Sequence, residues 1–65
     1  VSTVVEPLLR WFAFAHLGDK PRAVAEAFFS LASAITRGIP ASAERTVALR
    51  KLLESRDAAL RATAP

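Results

Sequence analysis

The sequence predicts an all-α protein, a short N-terminal helix plus an antiparallel helical hairpin, assembled as a homo-oligomer. Three observations predict it. Residues 42–62, SAERTVALRKLLESRDAALRA, run for twenty-one positions without a Gly or a Pro. Two short breaks, Gly18-Asp19-Lys20-Pro21 and Gly38-Ile39-Pro40-Ala41, divide what precedes that stretch. Between the breaks, apolar residues recur at three-, four- and seven-residue spacing, the signature of one helical face. Helices are expected over about 4–17, 21–37 and 43–62, in a single domain covering residues 1–65.

The N-terminal helix has two possible starts. Thr3 and Glu6 fit a capping box, or Pro7 is the first helical residue, where its missing amide costs nothing. Leu8, Leu9, Trp11, Phe12, Phe14, Ala15 and Leu17 make this segment apolar nearly all round, so it has to touch two things at once. Trp11, Phe12 and Phe14 cannot share a direction, because successive helical positions turn by roughly 100°. Gly18 suits the end of this helix, with Asp19 as the cap and Pro21 in the first turn of the next. The middle helix closes at Gly38. Its stripe is Val24, Phe28, Leu31 and Ile35, widened by Phe29, and alanines at 23, 25, 27, 32 and 34 let a neighbouring helix come close. Arg22 and Glu26, four apart, face solvent as a pair. The short turn at 38–41 makes the middle and C-terminal helices antiparallel neighbours.

Ser42 is placed to cap the long C-terminal helix, since its hydroxyl can accept from a free amide of the first turn. Glu44 lies at the positive end of the helix dipole. Thr46, Leu49, Leu53 and Leu60 form the apolar stripe. Arg56 or Asp57 interrupts it, putting a polar group beside a greasy seam. Arg50 with Glu54, and Asp57 with Arg61, are spaced to pair, each contributing only about 0.2–0.5 kcal/mol. Residues 63–65 are a tail.

Sixty-five residues build only a small core. A chain this short hides roughly 60% of its unfolded surface. Yet 52% of its residues are hydrophobic, five of them aromatic. Small folds in this position use disulfides, a metal or oligomerisation. With no Cys and one His, the first two are not expected, and self-association is the expected solution. No run of about 18 apolar residues offers a membrane span, and Glu6, Pro7 and Arg10 spoil residues 1–17 as a signal peptide. A cytoplasmic location is the expectation. The chain opens on Val1 rather than Met, so residues could precede it.

The net charge is +3, and seven of nine basic residues are Arg, whose planar fork suits phosphate or carboxylate. A solvated helical surface would carry the same charge. Duplex DNA or RNA is not the expected partner, because basic and acidic residues alternate along the C-terminal helix. Catalytic groupings are missing from the sequence. No serine has a G-x-S-x-G setting, two glycines cannot make a phosphate-cradling loop, and His16 reads as a helix-end cap or a partner contact. An enzyme, a cofactor and a metal centre are therefore not expected. Binding is the chemistry the residues allow: aromatics beside a loop (Trp11, Phe12, Phe14) with Arg and Lys on the long helix, since rings stack on bases and cations neutralise phosphates. Composition alone favours the plainer reading of the same residues, aromatics as core and arginines as solvated surface.

Three stretches together resemble a known family: FAFAH at 12–16, GDKP at 18–21 and IPASAERTVALRKLLESRDAALRA at 39–62. An aromatic-x-aromatic beside a His, a Gly-Asp-x-Pro turn, a Pro-x-Ser turn and a helix of the form E-x-[ST]-x-A-L-x-K-L-x-E resemble the small phage sponges that sequester cyclic oligonucleotides and so blunt CBASS immunity. Glu44, Thr46, Ala48, Leu49, Lys51, Leu52 and Glu54 match that helix, and Ala58, Ala59 and Arg61 its tail. The resemblance covers residues 11–62. It implies a helical protomer built through dimers into a homo-oligomer, typically a hexamer. Cyclic dinucleotides such as 3′,3′-cGAMP are then held between protomers, with cyclic trinucleotides at a separate site in some members. It implies capture without cleavage, inside an infected bacterium.

Carried over residue by residue, the family's base-stacking tyrosine is Phe14 here, a ring without the hydroxyl. Phe28 and Phe29 stand where the family places a basic residue, so phosphate contacts fall to Lys20, Arg22, Arg45 and Lys51. Ser30 is either a phosphate donor or a surface serine. Trp11, Phe12, Phe28, Phe29, Leu49 and Leu53 are expected to form the seams between copies. The rival reading is a helical adaptor or antitoxin-like oligomer that docks protein and binds no nucleotide.

Overall fold

A computed structural model describes residues 7–63. A short 3-10 helix, Pro7–Phe12, precedes two α-helices, α1 (Asp19–Gly38) and α2 (Ala43–Ala62), packed as a hairpin. The 3-10 helix lies against both.

The first segment departs from the α-helix expected over 4–17. It is two turns of 3-10 helix, and residues 13–18 are irregular. A residue far along the chain meets the main chain where the helix stops. In a continuing α-helix the Ala13 carbonyl would accept from the Leu17 amide. Here Arg56 of α2 donates to that carbonyl at 2.7 Å, and the Leu17 amide turns to the Phe14 carbonyl at 3.1 Å. The three-residue repeat of the 3-10 turn also places Leu9 and Phe12 on one side, toward the hairpin. His16 therefore sits exposed in a turn, not at a helix end. The Thr3–Glu6 capping box falls outside the described residues.

Helix α1 begins two residues before the expected 21. Gly18, extended at φ −67° and ψ 176°, occupies the cap position, and its carbonyl accepts from the Arg22 amide at 2.8 Å. Asp19 is not the cap but the first helical residue. Its carboxylate favours the positive end of the helix and accepts from Arg22 at 3.1 Å, so Arg22 pairs with Asp19 rather than Glu26. Pro21 is tolerated because the first amides of a helix have no internal partner.

Helix α2 matches its expected span. Ser42 Oγ accepts from the Arg45 amide at 3.1 Å. Charge pairing on α2 runs differently from the expected four-residue spacing: Glu54 faces Lys51 at 4.0 Å, and Asp57 accepts from Arg56 at 3.4 Å.

The core sits where all three elements meet. Phe12, Ala32 and Leu49 are shut off from water, with Leu8, Leu9, Phe28, Phe29, Ile35, Leu52 and Leu53 packed around them. Buried Ala25 and Ala32 give α1 the smooth side on which the helices approach, while Ala23, Ala27 and Ala34 face out. The centre of α1's buried face is thus turned away from Leu31, which is half exposed. Among the described residues only Phe12 and Leu49 are large side chains buried completely.

Candidate ligand-binding face

The three aromatics of the N-terminal segment take three directions. Phe12 enters the core. Trp11 stays 54% exposed, with the Arg10 guanidinium 5.2 Å from its ring centroid. Phe14, in the irregular stretch, lies half-buried against Phe29 of α1, ring centroids 5.4 Å apart and planes tilted by 58°. That tilt lets a ring edge meet a ring face. The Phe14–Phe29 pair is the only aromatic ring pair in contact among the described residues.

The flank of α1 beside this pair carries polar side chains. Residues seven apart return to nearly the same side of a helix. Arg22 precedes Phe29 by that interval, and exposed Arg37 follows exposed Ser30 by it. Half-buried Ser33 falls between them on the same side. Arg22 is held only by the exposed Asp19 carboxylate, and a surface pair of that kind is easily exchanged for another anion. The flank therefore sets a ring surface, hydroxyls and two guanidiniums beside the exposed carboxylate of Glu26, which lies seven residues before Ser33. Arg37 and Ser33 escape a reading of the sequence by motif, yet their heptad spacing from Ser30 and Glu26 is visible in it.

The other cations expected at the site stand elsewhere. Lys20, two residues before Arg22, is carried to a different side of α1. Lys51 is well exposed on α2 beside Glu54. Arg45 is buried, and one of its NH groups donates to the carbonyls of Thr36 at 3.2 Å and Ile39 at 2.8 Å. A cation there satisfies main-chain carbonyls at the end of α1 and suits its negative dipole end. Arg45 is thus a clamp on the interhelical turn.

The expected seam residues divide in the same way. Phe12 and Leu49 are fully enclosed within one protomer and have no surface to give a second copy. Phe28, Phe29 and Leu53 are half-buried, and Trp11 is exposed. Leu31, Ile39 and Val47, not foreseen as seam residues, are exposed to 51%, 44% and 47%.

No group of three His, Asp or Glu side chains is placed to hold a metal ion among the described residues, and no described helix is long and apolar enough to cross a membrane. No protein-family model, curated protein or solved structure matches the chain.

Proposed function

We propose that this protein captures cyclic oligonucleotide second messengers, cyclic dinucleotides such as 3′,3′-cGAMP above all, and holds them without cleaving them. The observation that carries the reading is the Phe14–Phe29 ring pair on the flank of α1 that also bears Arg22 and Ser30. An aromatic face stacks on a base whatever its identity, and Arg suits phosphate oxygens through two parallel bonds. In one protomer Arg22 and Ser30 are exposed and the two rings half-buried. A second copy related by a two-fold axis would close this face, and equivalent residues would then meet equivalent halves of a pseudo-symmetric ligand.

Self-association belongs to the same proposal. Two large side chains fully buried is a thin core for a chain this apolar, and the exposed Trp11, Leu31, Ile39 and Val47 supply surface for neighbouring copies. The sequence resemblance supplies the rest: a hexamer assembled from dimers, cyclic trinucleotides at a separate site, and a role for a phage in blunting CBASS immunity within the bacterial cytoplasm.

Titration calorimetry with 3′,3′-cGAMP tests the reading. Sub-micromolar binding, with the ligand recovered chemically intact, is the expected result. No heat with any cyclic di- or trinucleotide contradicts it. That outcome would favour the second reading, a helical adaptor, for which the four exposed apolar side chains are the specific support.

A further inference from the structure

We infer that Arg56 is the positioning residue of the ring face: it fixes the main chain at Ala13 and so sets where the Phe14 ring stands. Three observations carry this. Arg56 is one of three buried residues of α2, with Arg45 and Leu49. Its NH2 group donates to the Ala13 carbonyl at 2.7 Å, across 43 residues of sequence, and its NH1 group donates to Asp57 at 3.4 Å. Its Nε is also buried and has no hydrogen-bond partner. Those two contacts alone therefore offset the cost of withdrawing the charge from water.

The consequence follows along the main chain. Ala13 is the residue between Phe12, locked in the core, and Phe14, on the ring face. The Arg56 bond anchors Ala13 where the 3-10 helix ends, and the Leu17 amide bonds to Phe14 rather than closing a helical turn on Ala13. In this irregular stretch Phe14 reaches Phe29. Arg56 and Phe29 thus hold this segment from two helices at once, one at the main chain and one at the ring. A Met at 56 could fill the same volume, but it has no donor for the carbonyl. A Lys keeps the charge and its donors on a single nitrogen, and loses the fork that also reaches Asp57.

The inference rests on the proposed ligand only in its last step, so its test has two arms. Amide hydrogen exchange on the full chain compares the wild type with Arg56→Met and Arg56→Lys. The Leu17 amide, bonded to the Phe14 carbonyl, reports the segment, and amides within α1 and α2 report the hairpin. In Arg56→Met, exchange at Leu17 is expected to rise on the order of tenfold, as for loss of one charge-assisted hydrogen bond, while the helices keep their protection. Arg56→Lys should fall between that variant and the wild type, and it decides the matter if the Met variant does not fold. Unchanged exchange at Leu17, or an equal rise throughout the helices, overturns the inference. The second arm is affinity for 3′,3′-cGAMP, expected to drop with the same ranking. A wild type that binds well and variants that bind equally well overturn the positioning role. A wild type that binds no cyclic dinucleotide sinks the proposed ligand instead, and the exchange arm still decides whether Arg56 fixes the segment.

Discussion

Two arginines of α2 share a chemistry and differ in what they hold. Arg45 satisfies the carbonyls of Thr36 and Ile39, and Arg56 satisfies that of Ala13. Both lay an aliphatic stem along the apolar seam and deliver the charged end to a main-chain acceptor. Arg45→Met should therefore lower the stability of the hairpin by about 1.5–3 kcal/mol, the range for hydrogen bonds to charged groups, as read from the urea midpoint. If stability holds while affinity for a cyclic dinucleotide collapses, Arg45 is a ligand contact after all. Phe14 calls for the opposite pattern. Phe14→Ala should cost about 1–3 kcal/mol of ligand binding by calorimetry, the worth of one base-aromatic stack, and leave the oligomer intact. Should the oligomer dissolve instead, the ring is a structural wedge and not a binding surface. A sequence cannot distinguish these arginines from solvated ones. Their acceptors are main-chain carbonyls that only the folded chain brings near, although the interruption of the α2 stripe at Arg56 or Asp57 does mark a polar group beside the seam.

Helix α2 is fully legible in the sequence because everything that shapes it is local. Ser42 stands one residue before its start, Gly and Pro are missing from its length, and high-propensity residues fill it. Ser42→Ala should thus cost about 1 kcal/mol, typical of a lost N-cap, measurable by thermal or urea unfolding. A neutral result would mean that the Arg45 clamp alone holds the turn. Helix α1 is legible in kind but not in phase. Val24, Phe28, Leu31 and Ile35 read as its stripe, yet close approach of α2 selects the small residues Ala25 and Ala32 as the buried centre and leaves Leu31 half out. The N-terminal segment is misread as a full helix because its composition is helical. The Arg56 donor that anchors Ala13 lies on another element, and periodicity within residues 4–17 contains no trace of it. The same blindness affects the candidate site. The ring at Phe14 is identified by motif, whereas its pairing with Phe29 emerges only from how the segment folds onto α1.

At the scale of the whole molecule, the hairpin and its N-terminal wedge make one small core around Phe12, Ala32 and Leu49. Phe12→Ala should remove about 3–5 kcal/mol, the range for emptying a buried aromatic site. That is a large share of what so short a chain can muster, so loss of the cooperative unfolding transition in circular dichroism is the expected result. A modest loss would show that contacts between copies carry more of the stability than the protomer core does. The proposed function makes the assembly and the ligand face parts of one device, because a face partly exposed on a single chain becomes enclosed only when a second chain meets it. Native mass spectrometry of the protein mixed with 3′,3′-cGAMP measures both together. The account predicts a multimer of the chain carrying the cyclic dinucleotide at its unaltered mass. A single folded chain with nothing bound would contradict it.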